Sequence, residues 1–261
     1  MKQCGCAPLD RAASLELADA LGDSPETVIS VYQLKSGLCR AYVAGESPDF
    51  RAAVVQNSDL PAEPVGFGDD AEALWDILTH VEGWRCATVP AECAARLGRI
   101  IQDGTGSAVR YYGDLYHVLT RPAPGIPHPA VRRLEPADIE LVKAAASELR
   151  VTGMGSPEAM LSSGLAVGAI IDGRLVANAH TSARSALYAD IGVYTIEAYR
   201  GRGLATAAAA LVAKLIQEAG QTPVWSCGEG NAASLAIAHR LGFSEVSRRT
   251  YVIPTAGEKQ D

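Results

Sequence analysis

The stretch of this chain with the densest potential for chemistry is Arg200-Gly201-Arg202-Gly203-Leu204-Ala205-Thr206. A strand-like run precedes it and a long helical pattern follows, so the first helical N–H groups point outward with the positive end of the helix dipole behind them. That is an anion site. Gly201 and Gly203 let the backbone approach a phosphate with no Cβ in the way, and Arg200 and Arg202 add charge that a pyrophosphate would use. Upstream, strand alternation puts Tyr188, Asp190, Gly192 and Tyr194 on one face and Ala189, Ile191 and Val193 on the other. With a hairpin turn near Arg184, Asn178 faces Asp190 and His180 faces Tyr188, which groups a carboxylate, an imidazole and a phenol able to move protons.

Such residues need elements to position them. Ala130 to Leu134 reads as a strand, and Pro136 to Leu149 as a helix with Asp138 and Glu140 in its first turn. Leu165 to Ile171 and Arg174 to His180 form a hairpin around Asp172-Gly173, since Asp-Gly supplies the positive φ of a tight two-residue turn. A third strand runs from Ala186 to Thr195. Leu204 to Ala219 then repeats apolar residues on one helical face, Val224 to Cys227 is a short strand, Asn231 to Leu241 is a helix closed by Gly242, and Glu245 to Ile253 is a last strand. Before all of these, Arg121 to Pro129 carries four prolines in nine residues, a composition that forbids regular helix or interior strand.

The domain boundary is placed there, giving residues 1–125 and 126–261. The N-terminal part reads as a smaller α/β domain. It has helices over Leu9 to Leu21, Asp70 to Val81 and Ala91 to Ile101, and strands over Gly37 to Ala44, Phe50 to Val55, Trp84 to Val89 and Ala108 to Leu119. Trp84-Arg85-Cys86 followed by Ala91 to Gly98 echoes Trp225-Ser226-Cys227 followed by Asn231 to Gly242. That echo reads either as a degenerate copy of the C-terminal half or as chance similarity between two Ala-rich helices.

The 261 residues are 48% hydrophobic and 20% charged, which is ordinary globular composition. A formal charge of -7 argues against a nucleic-acid partner, because neutralising phosphates needs a basic face. The start, Met1-Lys2-Gln3-Cys4-Gly5-Cys6, lacks the apolar core of a secretory signal, and no apolar run is long enough to span a bilayer, so a cytoplasmic protein with no membrane partner is expected. The six scattered cysteines read as reduced thiols. Cys4 and Cys6 find no second Cys or His pair at zinc spacing, so no metal is expected.

The loop resembles the Arg/Gln-x-x-Gly-x-Gly/Ala signature of the Gcn5-related N-acetyltransferase (GNAT) superfamily, with Arg200, Gly203 and Ala205 at the matching positions. Asp190 to Thr195 stands where that family has its splayed fourth strand. Asn231-Ala232-Ala233-Ser234 with Leu241-Gly242-Phe243 resembles its second motif, an Asn-led helix ending in Leu-Gly-Phe. Ile191 to Thr195, Tyr199 to Ala205 and Pro223 to Cys227 are similar to a bacterial two-domain branch that includes resistance acetyltransferases for zwittermicin-like amines. The resemblance implies an α/β (α+β) domain with a central mixed, mostly antiparallel sheet flanked by helices, and acetyl-CoA or another acyl-CoA as co-substrate. The pantetheine would pair near Thr195 and Ile196, the pyrophosphate would sit on residues 202 to 206, and Arg200, Gly201, Asn231 and Ser234 would complete the cofactor contacts. The reaction implied is acetyl transfer to a primary amine of a small molecule, whose pocket would be shaped by about Ile139 to Gly164.

Such a transfer needs a base for the amine and a donor for the leaving thiolate. Many family members use a tyrosine three residues before the Leu of Leu-Gly-Phe as that donor, and here the position is Ala238. Ser234, one turn earlier, is the substitute donor or else part of the Asn231 cap. Asp190 is the first base candidate, His180 the second and Glu229 the third, each against a reading as ordinary hydrogen-bonding surface. Cys227 and Trp225 read as packing or cofactor wall, and His239 as solvated. The missing tyrosine also admits a noncatalytic acyl-CoA sensor. A tRNA-dependent aminoacyltransferase is disfavoured by the intact loop and the acidic charge.

Overall fold

The computed structural model describes residues 7–46, 49–149 and 154–255. Cys4, Cys6 and residues 150–153 of the segment expected to shape the acceptor pocket lie outside the described residues. The chain divides into two compact units, one built from Ser30–Leu115 with the described residues of Met1–Gly22 and Ser247–Asp261, the other from Asp23–Ile29 and Tyr116–Val246. The division therefore falls between residues 115 and 116, upstream of the proline-rich stretch, and again between residues 246 and 247 within the last strand, with residues 23–29 also assigned to the second unit. Residues 121–129 form no helix or strand, as their prolines require.

In chain order the first part comprises α1 (Arg11–Leu21), α2 (Val28–Ser36), β1 (Cys39–Ala44), β2 (Ala52–Asn57), β3 (Val65–Phe67), α3 (Ala71–Leu78), β4 (Ala87–Pro90), α4 (Ala91–Thr105) and β5 (Val109–Val118). Asp10 and Asp70 cap α1 and α3 by accepting from the N–H groups of Ala13 and Ala73. β2 reads Ala-Ala-Val-Val because both its faces are covered. Ala53 and Val55 pack under α1 and α2, while Ala52 and Val54 pack under α3 and α4. Sequence patterning missed α2, whose apolar residues surround the helix, and β3, which is only three residues long.

The second part holds β6 (Val131–Arg133), α5 (Ile139–Leu149), α6 (Pro157–Ser163), β7 (Ala166–Ile171), β8 (Arg174–Arg184), β9 (Tyr188–Thr195), α7 (Leu204–Glu218), β10 (Thr222–Gly228), α8 (Ala232–Leu241) and β11 (Ser244–Pro254). Strands β6, β7, β8 and β9 pair antiparallel in that order, and β9 pairs parallel with β10. Asp172 and Gly173 take φ values of 49° and 73°, the conformation that their tight turn demands. Helices α5 and α6 pack on one face through Val142, Leu149, Met160 and Ala166, and α7 and α8 on the other through Ala208, Val212, Ile216 and Leu241. The run of alanines in α7 combines strong helix propensity with small side chains, so the helix seats closely on the sheet.

The β8/β9 register differs from the sequence expectation. β8 continues to Arg184 and turns over Ser185 to Leu187, so Asn178 pairs with Tyr194 and His180 with Gly192. A bulge between Thr181 and Ala183 then brings Ala183 opposite Asp190. A turn centred two residues later than expected moves every pairing along the strand, which is how turn geometry sets register.

Candidate functional site

β9 and β10 pair only over Tyr188 to Asp190 and Thr222 to Val224, and beyond those residues they part. Into the gap opens a cavity of about 600 Å³, walled by the end of β9, the residues 199–206 turn, Trp225 and one face of α8. Gly201 and Gly203 take φ values of 75° and 77°, and a Cβ at either would meet nothing within 4 Å, so both are glycine for backbone conformation. Gly203 caps α7 with no side-chain hydrogen bond. The leading N–H groups of α7 are thus presented at the cavity wall, where an anion would satisfy them. Arg200 Nε donates to the Thr195 carbonyl at 3.4 Å, and the Arg202 guanidinium lies over the Tyr199 ring at 5.1 Å and donates an N–H to the Ala198 carbonyl at 3.3 Å.

Of the residues expected to hold a cofactor, Thr195, Arg200, Gly201, Arg202, Gly203, Leu204, Ala205, Thr206, Asn231 and Ser234 all line this cavity. Ile196 does not. Its N–H donates to the Val176 carbonyl at 3.0 Å and its side chain packs with the α5 cluster, because the β8/β9 ladder runs one bond further than expected. Thr195 Oγ1 is buried and has no hydrogen-bond partner among the described residues.

The proton-transfer candidates separate. Ser234 stands at the cavity: its N–H donates to Asn231 Oδ1 at 3.2 Å, and its Oγ accepts from Trp225 Nε1 at 2.9 Å. Asp190 is 4% exposed and lies off the cavity wall, with one carboxylate oxygen accepting from Ser182 Oγ and the other from Ser226 Oγ at 2.9 Å. His180 is buried beside Asn178, with Nδ1 at 3.4 Å from Nδ2, under the α5 face and also off the wall. Glu229 is exposed past the end of β10. The structure therefore joins Ser234 to the loop and leaves Asp190 and His180 apart from it. The expected pairings of Asn178 with Asp190 and of His180 with Tyr188 do not form.

Ala238 is fully buried in the apolar cluster under α7, while Ala233, Ser234, Ile237 and Arg240 make the cavity face of α8. Tyr199 and Arg240 are wall residues that sequence reading passed over. Arg240 was legible in principle, three residues beyond Ile237 on the same helical face. Trp225 both walls the cavity and stacks edge-on against Phe243, with ring centroids 5.6 Å apart. His239 is exposed, its ring 5.9 Å from that of His117. Burial pushes the Cys39, Cys86 and Cys93 thiols up to about 11, which suits packing better than nucleophilic chemistry.

A helix start with no side-chain cap, lined by left-handed glycines, thus opens on a gap between parting parallel strands in a mixed α/β domain. Residues 129–252, just under half the chain, match the family model described as GNAT acetyltransferase. A 62-residue segment is 40% identical to the uncharacterized N-acetyltransferase YdfB of Bacillus subtilis (strain 168), a match that spans 24% of each protein. Among solved structures, the chain is similar to a GCN5-related N-acetyltransferase-like protein from Streptococcus suis 89/1591, with 21% identity, a TM-score of 0.68 and coverage of 94% of this chain and 100% of that one. A GCN5-related N-acetyltransferase from Kribbella flavida is 19% identical with a TM-score of 0.63, over 92% and 98% of the two chains. A tandem GNAT protein from the clavulanic acid biosynthesis pathway is 15% identical with a TM-score of 0.55, over 94% and 96%. These likenesses are of fold. No helix among the described residues is long and apolar enough to cross a membrane.

Proposed function

We propose that this chain transfers an acetyl group from acetyl-CoA to a primary amine of a small molecule. The observation that carries the reading is the start of α7, with no side-chain cap, two left-handed glycines and two arginines at the wall of the cavity between β9 and β10. A pyrophosphate suits those N–H groups, and the buried Thr195 Oγ1 suits an amide N–H of the pantetheine arm. In the reaction, the neutral amine attacks the thioester carbonyl, the carbon–sulfur bond breaks, and the proton lost from nitrogen is balanced by protonation of the thiolate.

Ser234 takes the role of donor to that thiolate. The Trp225 indole N–H enters one lone pair of its oxygen, which leaves the hydroxyl hydrogen to be donated elsewhere. The acceptor amine approaches from the α5 face, where Asn178 presents a buried Oδ1 that has no partner among the described residues. The test is to follow thiol release from acetyl-CoA against a panel of amines that includes amino sugars, polyamines and zwittermicin-like amino compounds. At least one amine should raise the rate well above the hydrolytic background. A flat panel with tight acetyl-CoA binding would instead support a noncatalytic sensor.

A further inference from the structure

We infer that Asp190 is a positioning residue that bolts three strands together at the mouth of the cofactor cleft. It is the last residue of β9 paired with β10, opposite Val224, so the strands part immediately beyond it. Its carboxylate accepts from Ser226 Oγ of β10 at 2.9 Å, two residues past that final pair, and from Ser182 Oγ of β8. Ser182 is the extra residue of the β8 bulge, and a bulge re-aims a side chain that regular pairing would direct otherwise. One buried carboxylate thus links β8, β9 and β10 where backbone pairing between β9 and β10 stops.

The chemistry favours this role over proton abstraction. Both carboxylate oxygens already accept hydroxyl hydrogens, and the residue is 4% exposed and off the cavity wall. Hydrogen bonds to an ionised group are the stronger kind, and one that bridges strands resists their separation. Its consequence is the width of the slot, which Thr195 and Trp225 line a few residues further along the same two strands. The inference rests on the acyl-CoA reading of that cavity.

Two measurements on Asp190→Asn, Ser226→Ala and Ser182→Ala test it. In the ligand-free proteins, backbone amides of residues 191–195 and 225–228 should exchange with solvent faster than in the wild type. In calorimetry the acetyl-CoA Kd should rise about tenfold in Asp190→Asn, equivalent to ~1.4 kcal/mol, with the KM for the amine and the pH profile of kcat/KM unmoved. The serine variants keep the carboxylate and guard against a failure of Asp190→Asn to fold. Unchanged exchange and affinity in all three variants would overturn the inference, and so would loss of the acid limb of the pH profile in Asp190→Asn, the signature of a general base. If the wild type does not bind acetyl-CoA but exchange still quickens in the variants, the clamp stands and the cofactor reading falls.

Discussion

Two side chains show how neighbours decide what a residue can do. Ser234 stands in the first turn of α8, where its N–H is capped by the Asn231 side chain, yet its hydroxyl is turned to the cavity and held by Trp225. Removing a hydrogen-bond donor to developing charge costs rate more than binding. Ser234→Ala should lower kcat roughly tenfold or more while leaving acetyl-CoA affinity within about threefold; steady-state kinetics beside calorimetry separates the two. Asp138 is a structural counterpart. It takes a bidentate contact from Arg132 and the N–H of Glu135, and Arg132 beside it draws its carboxyl down to about 2. A depressed carboxylate pKa contributes stability above its unfolded value near ~4, and the contribution is lost as pH falls through the folded value. Because Arg132 is half exposed, Asp138→Asn should cost only ~1 kcal/mol at neutral pH. Urea midpoints for wild type and variant should converge as pH falls from about 4 toward 2.

At the scale of elements, the sheet of the second unit tolerates little change. A Cβ on Gly168 of β7 would lie 2.9 Å from Leu134 Cδ2 and closer still to Leu175. Gly168→Ala should destabilise by ~1–3 kcal/mol as an overpacking change, measured as a lower urea midpoint with an unchanged m-value. Most elements here were legible before the structure. The Asp-Gly turn, the Asn231 cap and the Gly242 stop are local chemistry, and a local sequence specifies them. What was not legible depends on distant partners. The β8/β9 register is set by a turn at Ser185 to Leu187 and a bulge at Ser182, neither of which carries a glycine signal. The same shift explains the site: Thr195 lines the cavity as the loop implies, whereas the expected partners of Asp190 and His180 rest on a register four residues out. Ile196 failed for the same reason, since its N–H belongs to the ladder.

Across the whole molecule, the two units treat a parallel strand pair in opposite ways. In the second, β9 and β10 part beside a turn carrying Arg200 and Arg202. In the first, β3 and β4 share one pairing, Val65 with Thr88, and the buried Arg249 of β11 donates to the carbonyls of Gly66 and Thr88 while lying 4.8 Å over Phe67. The turn into α3 there is Gly68-Asp69-Asp70, with the Asp70 carboxylate already capping the helix at 3.0 Å, so carboxylates stand where a phosphate would need cations. One acyl-CoA per chain is therefore expected, visible as a calorimetric stoichiometry near one. Whether that single site is the loop at Arg200 to Thr206 is settled by titrating acetyl-CoA into Gly203→Glu. At φ 77° the new side chain meets strain of only ~1–2 kcal/mol and no steric neighbour, so the fold should persist while a carboxylate opposes the pyrophosphate. Heat of binding should disappear in the folded variant. Wild-type affinity in that variant would contradict it.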